Sequence, residues 1–305
     1  MIRLPPRDFV RSAEAAAARY TCEEAEAYTR WLATHHYENF QVVSFLLPKR
    51  LHQDFYNVYA WCRWADDLGD EMGDPQESLR LLAWWREQLQ AMYDGQATHP
   101  VLVALRGTVR RHSIPQEPFD DLIRAFEQDQ TVTRYQSWED VYAYCRYSAN
   151  PVGRLVLYLC GYSDTQRQRL SDATCTALQL ANFWQDVAVD LEKDRVYIPL
   201  EVLARHGYTL EDLYARRMTP AFRQVMREIA ARARELFVEG LPLSSLVDRR
   251  LALDIDLFSR GGMRILDKIA GQDYDVLSRR PAISKAERVW LLLAALARMT
   301  FSRAA

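Results

Sequence analysis

Glycine and proline are scarce in this sequence, 11 and 12 among 305 residues, and most of them fall between apolar segments rather than within them. Strand-like alternation bounded by turn signals is hard to find, which argues against sandwiches, barrels and open sheets. A basic excess is also missing. The formal net charge is -2, so no nucleic-acid partner is expected. The five cysteines are scattered, odd in number and form no CxxC pair, so free thiols in a reducing cytoplasm are expected. The first residues, MIRLPPRDF, carry no apolar run of signal-peptide length. No stretch approaches the roughly 18 uninterrupted apolar residues of a membrane span. The most apolar segment, VWLLLAALARM at 289–299, is too short to cross a bilayer and is expected to pack in the core rather than on a bilayer surface. Phosphate-loop, dinucleotide, zinc-protease and nucleophile-elbow motifs are all missing, and no histidine follows a glutamate at the spacing of a di-iron bundle.

Helical periodicity dominates what is present. Apolar residues recur at spacings of three and four over 22–34, 50–71, 76–93, 118–129, 138–160, 165–190, 219–238, 243–260 and 284–302. Hydrophobic residues make up 49% of the chain and charged residues 26%, an ordinary globular balance. With no linker, repeat or low-complexity tract, the expectation is an all-α protein. It would form one domain over residues 1–305, core about 30–280, a bundle of about ten helices around a central apolar cavity.

Two short segments stand out. Residues 59–71 read YAWCRWADDLGDE and residues 182–190 read NFWQDVAVD. On a helix, residues four apart share a face, so Asp66 and Asp70 project together, as do Asn182, Asp186 and Asp190, with Gln179 three residues earlier. Like charges at this spacing destabilise an isolated helix by a few tenths of a kcal/mol. A solvated acidic face is the plain reading of either pair alone. Both pairs, however, lie in apolar and aromatic sequence, where carboxylates need partners or a metal. Carboxylate and amide oxygens suit Mg²⁺, which takes one or two carboxylates plus substrate phosphates.

These segments resemble the two aspartate-rich motifs of the squalene/phytoene synthase family. HYENFQVVSFLLPKRL resembles the family's N-terminal diphosphate segment, and YAYCRYSANPVGRLVLYLCG its central cavity helix. The resemblance implies an all-α, Mg²⁺-dependent enzyme acting on isoprenoid diphosphates. Carried over by position, Asp66, Asp70, Asp186 and Asp190 hold Mg²⁺ with Asn182 assisting. Tyr59, Arg63 and Gln179 face the diphosphate and cavity, His36, Asn39 and Phe40 fall on the substrate segment, and Arg195 and Tyr197 on the flap after the second motif. Tyr144, with Phe40, Tyr59 and Phe183, offers an aromatic face to a cation, each also readable as core packing.

Three departures bear on the substrate. Gln185 stands where the family has arginine, Val189 where it has glutamate, and Tyr37, Glu38 and Asn39 where it is serine-rich. They remove positive charge and hydroxyl donors expected to hold one of two diphosphates. HYENF and NFWQD are similar to the branch serving bacterial hopanoid synthesis. That branch converts presqualene diphosphate to hydroxysqualene, with Tyr37, Asn39, Asn150 or Gln185 as candidates to position water. Such a C30 alcohol implies a cytoplasmic enzyme with peripheral membrane contact and handover to other hopanoid-pathway enzymes. Three alternatives stay open: a squalene or phytoene synthase condensing two prenyl diphosphates, a Mg²⁺-dependent phosphohydrolase, and a non-catalytic helical partner protein.

Overall fold

A computed structural model describes residues 3–35 and 48–301. The helices are α1 (Pro6–Phe9), α2 (Ala13–Ala17), α3 (Cys22–His35), α4 (His52–Asp70), α5 (Pro75–Tyr93), α6 (Pro100–His112), α7 (Glu117–Gln128), α8 (Trp138–Ser148), α9 (Asn150–Leu159), α10 (Thr165–Gln185), α11 (Val187–Glu192), α12 (Leu200–Arg205), α13 (Leu210–Tyr214), α14 (Pro220–Gly240), α15 (Arg249–Gly271) and α16 (Lys285–Phe301). Among the described residues there is no strand, only an isolated bridge between Arg134 and Val196. The chain is all-α, as expected, with more helices than the bundle of about ten read from the sequence.

The helices differ from the expected segments in several places. α6 was missed because Pro100 reads as a break. It is in fact the first helical residue, where its missing N–H is no loss, and Val101, Leu102, Leu105 and Val109 line the buried side. The segment 138–160 divides at Ala149, with Pro151 near the start of the second piece. The segment 165–190 divides at Asp186. α15 runs past residue 260, where the periodic segment 243–260 stops, and through Gly261–Gly262, because close packing outweighs helix propensity there. A Cβ at Gly262 would lie 2.2 Å from the Phe237 ring of α14.

The contacts group into two compact units. The first comprises Met1–Thr131 and Pro151–Ser163, the second Val132–Asn150 and Asp164–Ala305. In the first, α4 packs against α3, α5, α6 and α7. Its rotation is set by a buried polar chain. Thr29 Oγ1 donates to Asn57 Oδ1 at 2.6 Å, Asn57 Nδ2 to Thr108 Oγ1 at 3.0 Å, and Thr108 Oγ1 to Asp54 Oδ1 at 2.7 Å. Trp61, Trp64 and Leu68 continue that buried side. In the second unit, α10 packs against α8, α14 and α15, and Asn150 Oδ1 accepts from Thr176 Oγ1 at 2.9 Å. Asn150, a candidate for positioning water, therefore ties the start of α9 to α10.

His99 lies inside an aromatic box in the first unit. Its ring meets Trp64 at 4.3 Å and 77°, and Trp85 at 4.9 Å and 86°. Neither ring nitrogen has a hydrogen-bond partner among the described residues. Burial pushes its pKa down to about 3. Between that value and the unfolded value near 6.5, the unfolded chain binds a proton that the native chain refuses, so stability falls as pH falls through this window. At pH 5 the loss is about 2 kcal/mol. Denaturant unfolding of wild type and His99→Phe at pH 8 and pH 5 should show this extra loss in the wild type only. Equal losses would exclude His99 as the source.

Candidate active site

The first motif occupies the outward side of α4. Tyr59, Arg63, Asp66 and Asp70 follow at helical spacing, opposite the tryptophans. Tyr59, Arg63 and Asp66 are half-buried and Asp70 is exposed. Arg63 gathers the carboxylates. Its Nη2 lies 2.5 Å from Asp67 Oδ1 and donates to Glu71 Oε1 at 3.0 Å, and its Nη1 lies 3.6 Å from Asp66 Oδ2. Asp67 is buried, and burial raises its pKa to about 7 against the opposing pull of Arg63. Asp67 and Glu71 were not among the expected site residues, although Asp67 sits one helical turn from Arg63. They hold the guanidinium in place.

The second motif spans the α10–α11 junction. Asp186 leaves helical geometry, with φ -106° and ψ 13°. The four-residue ladder nevertheless runs through it: Asp186 N donates to Asn182 O and Asp190 N to Asp186 O, both at 2.9 Å. The stripe Asn182, Asp186, Asp190 therefore survives the break. Burial, reinforced by Asp186, raises the pKa of Asp190 to about 7, and Lys193 and Arg195 only partly oppose this. Asp190 is short of positive charge, the electrostatic condition that a hard dication relieves. Arg195 N donates to Asp190 O at 2.9 Å, folding the flap back onto the motif.

A guanidinium far away in sequence answers Asp186. Arg280 grips both carboxylate oxygens, Nε on Oδ1 and Nη2 on Oδ2, the latter at 3.1 Å. Beside it, Gln185 Nε2 donates to Pro281 O at 2.6 Å. Gln185 thus anchors the segment that delivers Arg280. The second motif thus has a cation supplied from position 280, next to the Pro281 carbonyl that Gln185 holds. The reading from position 185 alone does not count this cation. No local sequence signal points to Arg280, because the pair spans 94 residues.

The aromatic candidates Tyr144 and Phe183 meet Tyr197 in the second unit. Phe183 and Tyr197 stack at 3.7 Å and 4°, Tyr144 lies 6.1 Å from Phe183, and Tyr135 joins at 5.5 Å from Tyr144. All four are buried. Gln179 is half-buried and Asn182 exposed. A cavity of 380 Å³ in the first unit is lined by Phe9, Tyr20, Trp84 and His99, among others, and by no expected site residue. His36, Tyr37, Glu38, Asn39 and Phe40 lie outside the described residues. Among the described residues no three His, Cys, Asp or Glu side chains form a complete metal cage. Each motif offers a carboxylate pair, which fits an ion that completes its shell with water and phosphate.

The sequence profile of squalene/phytoene synthases matches residues 33–287. The chain belongs to this family. It is 36% identical over 260 residues to the hydroxysqualene synthase of Rhodopseudomonas palustris, covering 84% of this chain and 87% of that protein. It is 34% identical over 258 residues to the phytoene synthase of Thermus thermophilus, with the same coverage of each. The crystal structure of squalene synthase HpnC from Alicyclobacillus acidocaldarius matches with a TM-score of 0.80 and 46% identity, covering 83% of this chain and 95% of that one. A dehydrosqualene synthase crystallised with a ligand shares the fold, with a TM-score of 0.81 at 24% identity. Family membership makes this chain an enzyme and sets aside the phosphohydrolase and partner-protein readings.

Proposed function

We propose that this enzyme converts presqualene diphosphate to hydroxysqualene in a Mg²⁺-dependent reaction, on the route to squalene and hopanoids. The observation that carries this reading is the 36% identity to a hydroxysqualene synthase, over most of both chains. A second hydroxysqualene synthase, 31% identical over 279 residues, supports it. Mg²⁺ held by Asp66 and Asp70, and by Asp186 and Asp190 with Asn182, would neutralise the departing diphosphate. The chain's own residues do the rest. Arg63, positioned by Asp67 and Glu71, offers a bidentate contact to a phosphate. The C–O bond breaks, its electron pair leaves with the diphosphate, and the cation left behind is stabilised by aromatic faces, each by roughly 0.5–2 kcal/mol. Tyr144, Phe183 and Tyr197 supply such faces. This cyclopropylcarbinyl cation rearranges with breaking of a ring C–C bond; water then adds to the rearranged cation and gives up a proton, yielding the open-chain alcohol.

A second reading is condensation of two prenyl diphosphates to squalene or phytoene. Arg280 favours it, because its guanidinium restores charge at the second motif. Incubation with Mg²⁺ and either presqualene diphosphate or farnesyl diphosphate, with and without NADPH, separates the two. Gas chromatography with mass detection should find hydroxysqualene from presqualene diphosphate, without NADPH, and no turnover of farnesyl diphosphate. Presqualene diphosphate, squalene or dehydrosqualene formed from farnesyl diphosphate would establish the second reading instead.

A further inference from the structure

Helix α16 is turned the wrong way round for a soluble protein. A helix packed on a globular body normally buries its apolar stripe and shows its charges to water. Here charges fasten it to α15. Glu287 Oε1 accepts from Arg264 Nη2 at 2.7 Å and from Lys268 Nζ at 2.8 Å, and Arg298 Nη2 donates to Asp256 Oδ2 at 2.6 Å. Of its apolar residues, Leu291 and Ala295 are buried on the packed side. Val289, Trp290 and Leu293 point outward, 57%, 64% and 60% exposed, with Leu292 beside them. The expectation that 289–299 packs in the core fails for this face.

We propose that the outward face of α16 docks the enzyme on an anionic lipid bilayer. The charge pattern selects this occupant. Lys285 and Arg288 are exposed at the N-terminal end of the helix. The one carboxylate of α16, Glu287, is turned inward onto Arg264 and Lys268. The outward face therefore carries cations and hydrocarbon without an acid, which is complementary to anionic headgroups over acyl chains. A second copy of the same face brings no acid to answer Lys285 and Arg288. Trp290 lies between the cationic end and the leucines, a place suited to the headgroup boundary. No described helix is long and apolar enough to cross a membrane, so the contact lies in the interface plane. The inference does not depend on which diphosphate the enzyme consumes.

The test is flotation of the full-length protein with vesicles of phosphatidylcholine alone or mixed with phosphatidylglycerol. The wild type should float with the anionic vesicles. Trp290→Ser with Leu293→Ser should weaken that binding by at least about tenfold, and Lys285→Glu with Arg288→Glu should abolish the preference for phosphatidylglycerol. Circular dichroism melting curves check that the variants stay folded, since every substituted side chain is exposed. Equal flotation of wild type and variants, or none at all, would overturn the proposal. So would a concentration-dependent dimer in sedimentation that Leu293→Ser dissolves, which would give the face to a second copy. Turnover in detergent should match wild type in all variants, so that loss of binding and loss of the proposed reaction are read separately.

Discussion

Alanine at Asp66 or at Asp186 should each abolish diphosphate release while the chain stays folded. Asp66 stands on the outward side of α4 with its side chain 45% exposed. Asp186 stands at the α10–α11 junction with its side chain 16% exposed. Neither is part of an apolar core, and losing one ion pair at such positions costs about 1 kcal/mol or less. The effect on turnover is of another size. A group that neutralises a departing diphosphate acts where charge develops, and removing it lowers the rate by about 10³-fold or more, on the order of 4 kcal/mol in the barrier. A coupled assay of released diphosphate reads the loss of turnover, and a melting curve reads the loss of stability. If both variants turn over at the wild-type rate, the two motifs do not work as a metal-dependent pair.

Replacement of Arg280 by Gln should move metal affinity and turnover in opposite directions. The Arg280 guanidinium holds both Asp186 oxygens, so a dication reaching that carboxylate has to displace it. With the guanidinium gone, Mn²⁺ should bind the substrate-free enzyme about tenfold more tightly, because each 1.4 kcal/mol of competition is a factor of ten. Turnover should fall by about 10²-fold, as a cation near the leaving group is lost. Mn²⁺ titration followed by electron paramagnetic resonance measures the first without any catalysis. Gln185→Ala should give a milder form of both effects, since Gln185 only anchors the backbone beside Arg280 through Pro281 O. Unchanged metal affinity in Arg280→Gln would show that the Asp186 contact does not compete with a dication.

The legible parts of the site are those built within one or two helical turns. Asp66 with Asp70, and Asn182 with Asp186 and Asp190, share faces because helical geometry repeats locally. The break at Asp186 did not disturb this, as the carbonyl ladder crosses it. The stacked Phe183 and Tyr197 lie 14 positions apart, and the sequence named both only through family resemblance. Asp67 and Glu71 went unassigned because a carboxylate's role depends on which side of the helix is buried. That rotation is set by Asn57, Thr108 and Asp54, contacts made between helices.

By itself the sequence determined the all-α class, the family, and the two carboxylate stripes, because periodicity and motif spacing are properties of neighbouring residues. Only the tertiary structure decided where Arg280 goes, what Gln185 does, and which side of α16 meets the protein. The charge argument from position 185 leaves Arg280 out of account for that reason. Electrostatics acts through space, and a guanidinium 94 residues away pairs with the Asp186 carboxylate. The same holds for α16: its composition marks it as apolar, but with Glu287 and Arg298 paired to α15, Leu292, Leu293 and Leu296 face outward.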